Sequence, residues 1–277
     1  MPISPLNRKQ DICAIAKYIA ALLVVNGHMF LFNGGPAEMT GFMNLGACCV
    51  GLFFFFSGYG LTYSYRTKGD AYLKNFFRKR YIRLLIPLVT AYLITLPIYA
   101  VCKGPIKAET LATTLIWGGP YLKFSWYVSE IAVVYLLFFI AMKIGSTYRL
   151  KLLILTTLIV ALTLGLLITR QPLWYAVSLP GLIIGIWYGE YETRIISQIT
   201  TKRLRLLTFG FASLWIFFWQ WSILGAPILA AYRYAFAASF LSVIFFALTA
   251  ICLLLCVKAS SRVVKLIASG GGNSLIL

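Results

Sequence analysis

Long apolar runs with almost no charge dominate this 277-residue sequence and leave it few possible folds. Only 12% of its residues are charged, whereas a soluble domain carries about a quarter. A helix needs roughly 20 apolar residues to cross a bilayer, and eight runs approach that length: 12–32, 42–65, 84–102, 125–142, 152–169, 172–189, 206–224 and 234–257. We therefore predict an all-α, polytopic transmembrane helical bundle, a single domain over residues 1–277, with about eight complete spans.

Near its end, the sequence contains three consecutive glycines followed by the beginning of another apolar segment. Gly270, Gly271 and Gly272 interrupt the pattern, and the letters NSLIL that end the chain resemble the first residues of another apolar segment. We expect a ninth span here, cut short by the end of the chain.

Lysine and arginine are spread unevenly over the segments that join these runs. With the amino terminus placed in the cytoplasm, the inner segments hold 19 of them and the outer segments hold 5, while Lys17 lies within the first run. Cytoplasmic loops of membrane proteins carry such an excess. We therefore predict a cytoplasmic amino terminus. Because no separate basic domain exists, the net charge of +18 does not indicate nucleic-acid binding.

The cysteines and the single histidine do not form a metal-binding pattern. All six cysteines lie in or beside apolar runs, where a thiol usually behaves as a small buried hydrophobic group. One histidine is too few for an ordinary zinc site. We predict no bound metal and no permanently bound cofactor.

The first run carries two ionisable side chains, Lys17 and His28, and His28 is the only histidine of the chain. Eleven residues on an α-helix make three turns plus about 20°, so both side chains face the same way, about 16 Å apart along the axis. Ionisable groups inside a span usually face a cavity or the bundle interior. Two alternatives stay open: a Lys17 side chain that snorkels to the inner interface, and a His28 side chain that forms an interfacial hydrogen bond.

Glu130 is the second intramembrane ionisable group. It lies in the outer half of the fourth run, at about the predicted depth of His28. A carboxylate beside an imidazole orients the ring and raises its basicity, which suits a general base. The alternative is a Glu130 paired with a nearby outer cation such as Lys123.

The second run contains an aromatic stretch that ends in Ser57, Gly58 and Tyr59. Small residues allow two helices to approach closely, or leave room for a ligand. The segment therefore predicts either helix packing or a binding surface.

The inner segment after this run, residues 66–83, holds seven basic residues, among them Arg80 and Arg83. Such a segment can anchor the chain to lipid headgroups. Its arginines are also suited to pairing with the phosphates of a cytoplasmic ligand.

Four motifs in this order resemble the integral-membrane acyltransferase 3 family, whose members O-acylate extracytoplasmic glycans. The family's opening, a basic residue, ten residues and a histidine, matches Lys17 and His28, although the family usually has arginine at the first position. The other matches are an aromatic Ser-Gly-Tyr segment at Phe55, Phe56, Ser57, Gly58 and Tyr59, a basic segment at Lys79, Arg80, Arg83 and Pro87, and a Trp-Tyr-x-x-x-Glu element at Trp126, Tyr127 and Glu130.

The resemblance implies a multi-pass enzyme of the cell membrane, expected in the bacterial inner membrane, that lacks the family's last spans. It implies cytoplasmic acyl-CoA, with acetyl-CoA expected, as donor, and an extracytoplasmic glycan hydroxyl as acceptor. His28 and Glu130 are the expected catalytic residues. The expected substrate-binding residues are Lys17, Ser57, Tyr59, Arg80, Arg83 and Trp126.

Two points stay open from the sequence. His28 is expected to act either as a general base on the acceptor hydroxyl or as an acyl-carrying nucleophile. The buried ionisable groups are also compatible with a transporter or flippase, and the missing last spans with a non-catalytic relative.

Overall fold

The computed structural model describes residues 5–6, 10–32, 40–119, 121–122, 125–228 and 232–257. Within these ranges the chain forms α-helices and no strand. The helices are α1 (Gln10–Phe32), α2 (Thr40–Lys68), α3 (Phe76–Lys103), α4 (Ala108–Trp117), α5 (Trp126–Ile144), α6 (Tyr148–Ile168), α7 (Leu173–Ser178), α8 (Pro180–Gln198), α9 (Thr201–Ile228) and α10 (Tyr232–Cys256), with a 3-10 segment at Gly69–Leu73 after α2.

The helices confirm the predicted all-α membrane fold. Within the described residues, α1, α2, α3, α5, α6 and α10 are long and apolar enough to cross a bilayer. Each of the eight predicted runs contains helix. The expected ninth segment, which begins after Gly272, lies outside the described residues.

The sixth predicted span, 172–189, differs from the structure in its bounds. It is two helices, because α7 ends at Ser178 and α8 begins at Pro180 and continues to Gln198. Proline has no backbone N–H to extend a preceding helix, but its fixed φ suits the first turn of a new one. A further short helix, α4, lies in the connection between the third and fourth predicted spans.

The chain divides into two compact units, Met1–Tyr63 with Ala176–Leu277, and Ser64–Tyr175. We call them unit 1 and unit 2. In unit 1, α10 packs against α9 and α8. In unit 2, α5 packs against α3, α4 and α6, and an aromatic cluster joins α3 and α5, where Phe76 stacks on Phe138 at 5.5 Å between ring centroids.

Glycines allow α2 and α8 of unit 1 to approach backbone to backbone. Gly181, Gly185 and Gly189 recur at every fourth position of α8, so they lie on one helix face. A Cβ added at Gly185 would collide with the backbone of Phe55, and one at Gly58 with the backbone of α8. Small residues at such spacing are typical of close helix pairs in membranes.

Candidate functional site

Lys17 and His28 lie on one unbroken helix, α1. Helix geometry therefore places both on the same face, about 16 Å apart. Both side chains are half-buried. The Lys17 Nζ lies 4.9 Å from the centroid of the Phe56 ring, so the cation packs on α2 immediately before Ser57. Two of the sequence motifs thus meet within unit 1.

The Ser57–Tyr59 segment contains one residue with a defined polar partner. Ser57 is half-buried, whereas Tyr59 is buried, and its hydroxyl donates to Glu192 Oε2 at 2.9 Å. The backbone N–H of Leu6 donates to the other oxygen, Oε1, at 2.6 Å. Glu192 is only 2% exposed, so these donors supply the partners that a buried carboxylate needs.

Sequence reasoning missed Glu192. Its only signal is an acidic residue in the stretch GEYE that follows the apolar part of α8. The Tyr188 ring, one turn earlier, lies 5.8 Å from the Tyr59 ring. An acidic side chain and two tyrosines therefore form a polar cluster inside unit 1, close to the segment on which Lys17 packs.

Arg80 and Arg83 have different environments in unit 2. Arg80 is 9% exposed, and its Nε and Nη2 donate to the Tyr72 hydroxyl at 3.1 and 2.5 Å. Its guanidinium carbon also lies 5.5 Å from the centroid of the Tyr135 ring, a cation–π arrangement. Arg83 is exposed. Of the two arginines expected to bind phosphates, Arg83 is the accessible one.

Glu130 is buried without a hydrogen bond in the described part of the chain. It is 6% exposed, and neither carboxylate oxygen has a partner there. Burying a carboxylate without a partner costs several kcal/mol or neutralises it. Such a group is more typical of a functional site than of a structural one. Lys123, its alternative partner, lies outside the described residues.

Two aromatic side chains, Trp126 and Tyr175, lie near Glu130. Trp126 lies one turn earlier on α5, is buried, and contacts Tyr175 at 4.9 Å between ring centroids. The Tyr175 hydroxyl donates to the carbonyl of Trp117, and Tyr175 is close enough to Glu130 to interact with it electrostatically. The predicted neighbours Trp126 and Glu130 are therefore close together and both buried in unit 2.

A second polar cluster fixes the beginning of the basic segment. The Tyr65 hydroxyl donates to Asp70 Oδ1 at 2.7 Å, and Lys151 Nζ donates to the Tyr65 hydroxyl at 2.5 Å. Lys151 also lies 3.6 Å from Asp70 Oδ1. Because Asp70 is 78% exposed, this ion pair adds little stability by itself, but it ties the end of α2 to α6.

The predicted site residues fall into two groups. Unit 1 holds Lys17, His28, Ser57 and Tyr59; unit 2 holds Arg80, Arg83, Trp126 and Glu130. The pairing of His28 with Glu130 stays a prediction. Among the described residues, no group of three or more His, Cys, Asp or Glu side chains could hold a metal ion.

A family model described as an acyltransferase domain, that of acyltransferase 3, matches residues 14–277, nearly the whole chain. No curated protein matches significantly, and neither does any solved structure.

Proposed function

We propose, because this chain belongs to the acyltransferase 3 family, that it transfers an acyl group from cytoplasmic acyl-CoA to a hydroxyl of an extracytoplasmic glycan. Membership in the family and the apolar helices make it a membrane acyltransferase. The proposal adds the donor, for which acetyl-CoA is the simplest choice, the acceptor, and the direction of transfer across a bacterial inner membrane.

The observation that carries the proposal is the placement of Lys17 and His28 on one face of α1. Their separation of about 16 Å along the axis puts a cation toward one side of the membrane and the only imidazole toward the other. Lys17 would attract the anionic donor, and His28 would lie where the acyl group meets the acceptor. Imidazole is the one side chain whose ordinary pKa suits proton transfer near neutral pH.

The proposed step moves one proton and one acyl group. The acceptor hydroxyl gives its proton to the unprotonated nitrogen of the neutral His28 ring while its oxygen attacks the thioester carbonyl carbon. The carbon–sulfur bond then breaks, and the leaving CoA thiolate takes the proton from the imidazolium. In the alternative route, a nitrogen of His28 attacks the thioester carbonyl carbon, the carbon–sulfur bond breaks, and CoA leaves as the thiol with the proton of the ring. The acceptor oxygen then attacks the acyl carbon, the carbon–nitrogen bond breaks, and the proton of the acceptor hydroxyl returns to the ring.

The other predicted residues have supporting roles in this proposal. Exposed Arg83 is suited to the phosphates of CoA, while Arg80, held by Tyr72, would shape the neighbouring surface. Ser57 and Trp126 would contact substrate. Glu130, buried near Trp126 and Tyr175, would orient the acceptor hydroxyl.

The test measures transfer of a radiolabelled acetyl group from acetyl-CoA to glycan by membranes that contain the protein. We expect label in the cell-envelope glycan fraction, and a loss of about 100-fold or more when His28→Ala removes the base. Asn26→Ala is the matched control, because Asn26 is an exposed polar residue on the same helix, and it should transfer label at the wild-type rate.

Transfer at the wild-type rate by a normally expressed His28→Ala protein would exclude this mechanism. If wild-type membranes transfer no acetyl but move a glycan precursor across the bilayer, the transporter interpretation replaces the proposal. If the protein itself becomes labelled when no acceptor is present, and does so only when His28 is intact, the acyl-histidine route is supported over the general-base route.

A further inference from the structure

An apolar groove of about 320 Å³ runs between α8, α9 and α10 of unit 1. Its walls are hydrophobic and aromatic side chains, among them Trp187, Tyr191 and Ile195 of α8, Leu204 and Leu207 of α9, and Leu255 of α10. Because α10 is apolar enough to cross the membrane, lipid acyl chains are the expected neighbours of a groove along it.

Basic residues lie at one end of this groove. On α8, Arg194 follows the lining residue Tyr191 by three positions and precedes the lining residue Ile195 by one, so it lies at the edge of the lining face near the end of the helix. On α9, Arg203 precedes the lining residue Leu207 by one turn. Both arginines are exposed, and both lie where α8 ends and α9 begins.

The charge at this end has one sign. Residues 194–205 contain four cations and no carboxylate: Arg194, Lys202, Arg203 and Arg205. Of the carboxylates that precede the stretch, Glu192 is held by Leu6 and Tyr59, and Glu190 lies one turn before Arg194. Within the described residues, none of the four cations forms an ion pair.

We propose that this groove binds one anionic glycerophospholipid. An acyl chain occupies the apolar groove, and the headgroup phosphate lies against Arg194 and Arg203. Arginine suits this role because its planar donors match phosphate oxygens, and basic clusters beside membrane helices are a common lipid-recognition feature. A zwitterionic lipid would fill the groove equally well but lacks the net charge that the four cations attract. The inference uses no residue of the proposed acyl transfer and stands apart from it.

Native mass spectrometry of the purified full chain tests the proposal. The protein is titrated with phosphatidylglycerol and, separately, with phosphatidylcholine of the same acyl chains. We expect phosphatidylglycerol to bind more tightly. Since one basic residue near an anionic lipid surface is worth roughly five-fold in affinity, Arg194→Gln with Arg203→Gln should weaken that binding about 25-fold.

Two further variants separate the groove from general charge effects. Arg149→Gln with Arg170→Gln removes the same charge from exposed positions at the two ends of α6, and should leave phosphatidylglycerol affinity unchanged. Leu207→Trp fills the mouth of the groove without changing charge, and should weaken binding of both lipids. Equal affinity of the wild type for the two lipids would overturn the proposal. So would an unchanged phosphatidylglycerol affinity of the Arg194/Arg203 variant.

Discussion

At the scale of single residues, the contact between Lys17 and Phe56 bears most directly on the proposed chemistry. A cation 4.9 Å from a ring centroid gains about 0.5–2 kcal/mol, more as it is desolvated. Arginine could keep both the charge and the ring contact, and would add a planar fork of donors. Alanine would lose both the charge and the ring contact.

We therefore expect Lys17→Arg to preserve or raise the rate of acetyl transfer, and Lys17→Ala to lower it, mainly through a higher KM for acetyl-CoA. Lys143→Ala is the matched control, because Lys143 also lies over a phenylalanine ring, that of Phe139, at 5.8 Å. Equal kinetics for wild type, Lys17→Arg and Lys17→Ala would mean that Lys17 is only an interface anchor.

Tyr59 illustrates what the sequence could and could not predict about single residues. The Ser-Gly-Tyr pattern identified it as a candidate, but its hydroxyl donates to Glu192, 133 residues away. No periodicity in one sequence reports such a pair. The burial of Glu130 could be predicted, because it interrupts an apolar run, whereas its lack of a described hydrogen-bond partner depends on how neighbouring helices pack.

At the scale of helices, the glycine face of α8 is the feature most sensitive to a single methyl group. A Cβ at Gly185 would come within 2.9 Å of the Tyr59 backbone nitrogen and nearer still to the Phe55 carbonyl. Backbone atoms of α2 cannot move aside by a side-chain rotation, so the two helices must separate. Overpacking of this kind typically costs about 1–3 kcal/mol.

Gly185→Ala should therefore lower the midpoint of thermal unfolding of the purified protein. Gly210→Ala is the control: a Cβ on Gly210 of α9 meets nothing within 4 Å, and alanine favours helix over glycine by about 1 kcal/mol. That variant should unfold at or above the wild-type temperature. An unfolding midpoint for Gly185→Ala as high as that of Gly210→Ala would contradict the close approach of α2 and α8.

Helix positions could be predicted from the length of the apolar runs, but breaks within them were harder to see. Residues 172–189 have the hydropathy of one span, and hydropathy does not register the missing N–H of Pro180. The proline was nevertheless a usable signal, since it starts α8 at its first turn. Helix α4, only 10 residues long, is too short to cross a bilayer and left no such pattern.

At the scale of the whole molecule, the uneven distribution of lysine and arginine predicts a cytoplasmic amino terminus and a cytoplasmic basic segment after α2. We expect a membrane-impermeant thiol reagent to label Lys107→Cys, but not Lys74→Cys, in intact cells. Both positions are exposed, so accessibility of the side chain does not separate them. Exposed Cys102 and Cys256 are replaced by serine in both variants. Labelling of Lys74→Cys from outside would reverse the topology.

The break between α7 and α8 also constrains how the protein can be made. Residues 176–179 are all at most 2% exposed, and the backbone of α2 at Gly51 lies against that of Gly181. An interrupted helix facing lipid would leave backbone groups unsatisfied, at several kcal/mol each. The ribosome synthesises Gly51 130 residues before Gly181, so the surface that covers the break is already in the membrane when the break arrives. The order of helices along the chain thus places α2, which packs against the start of α8, in the membrane before the break is made.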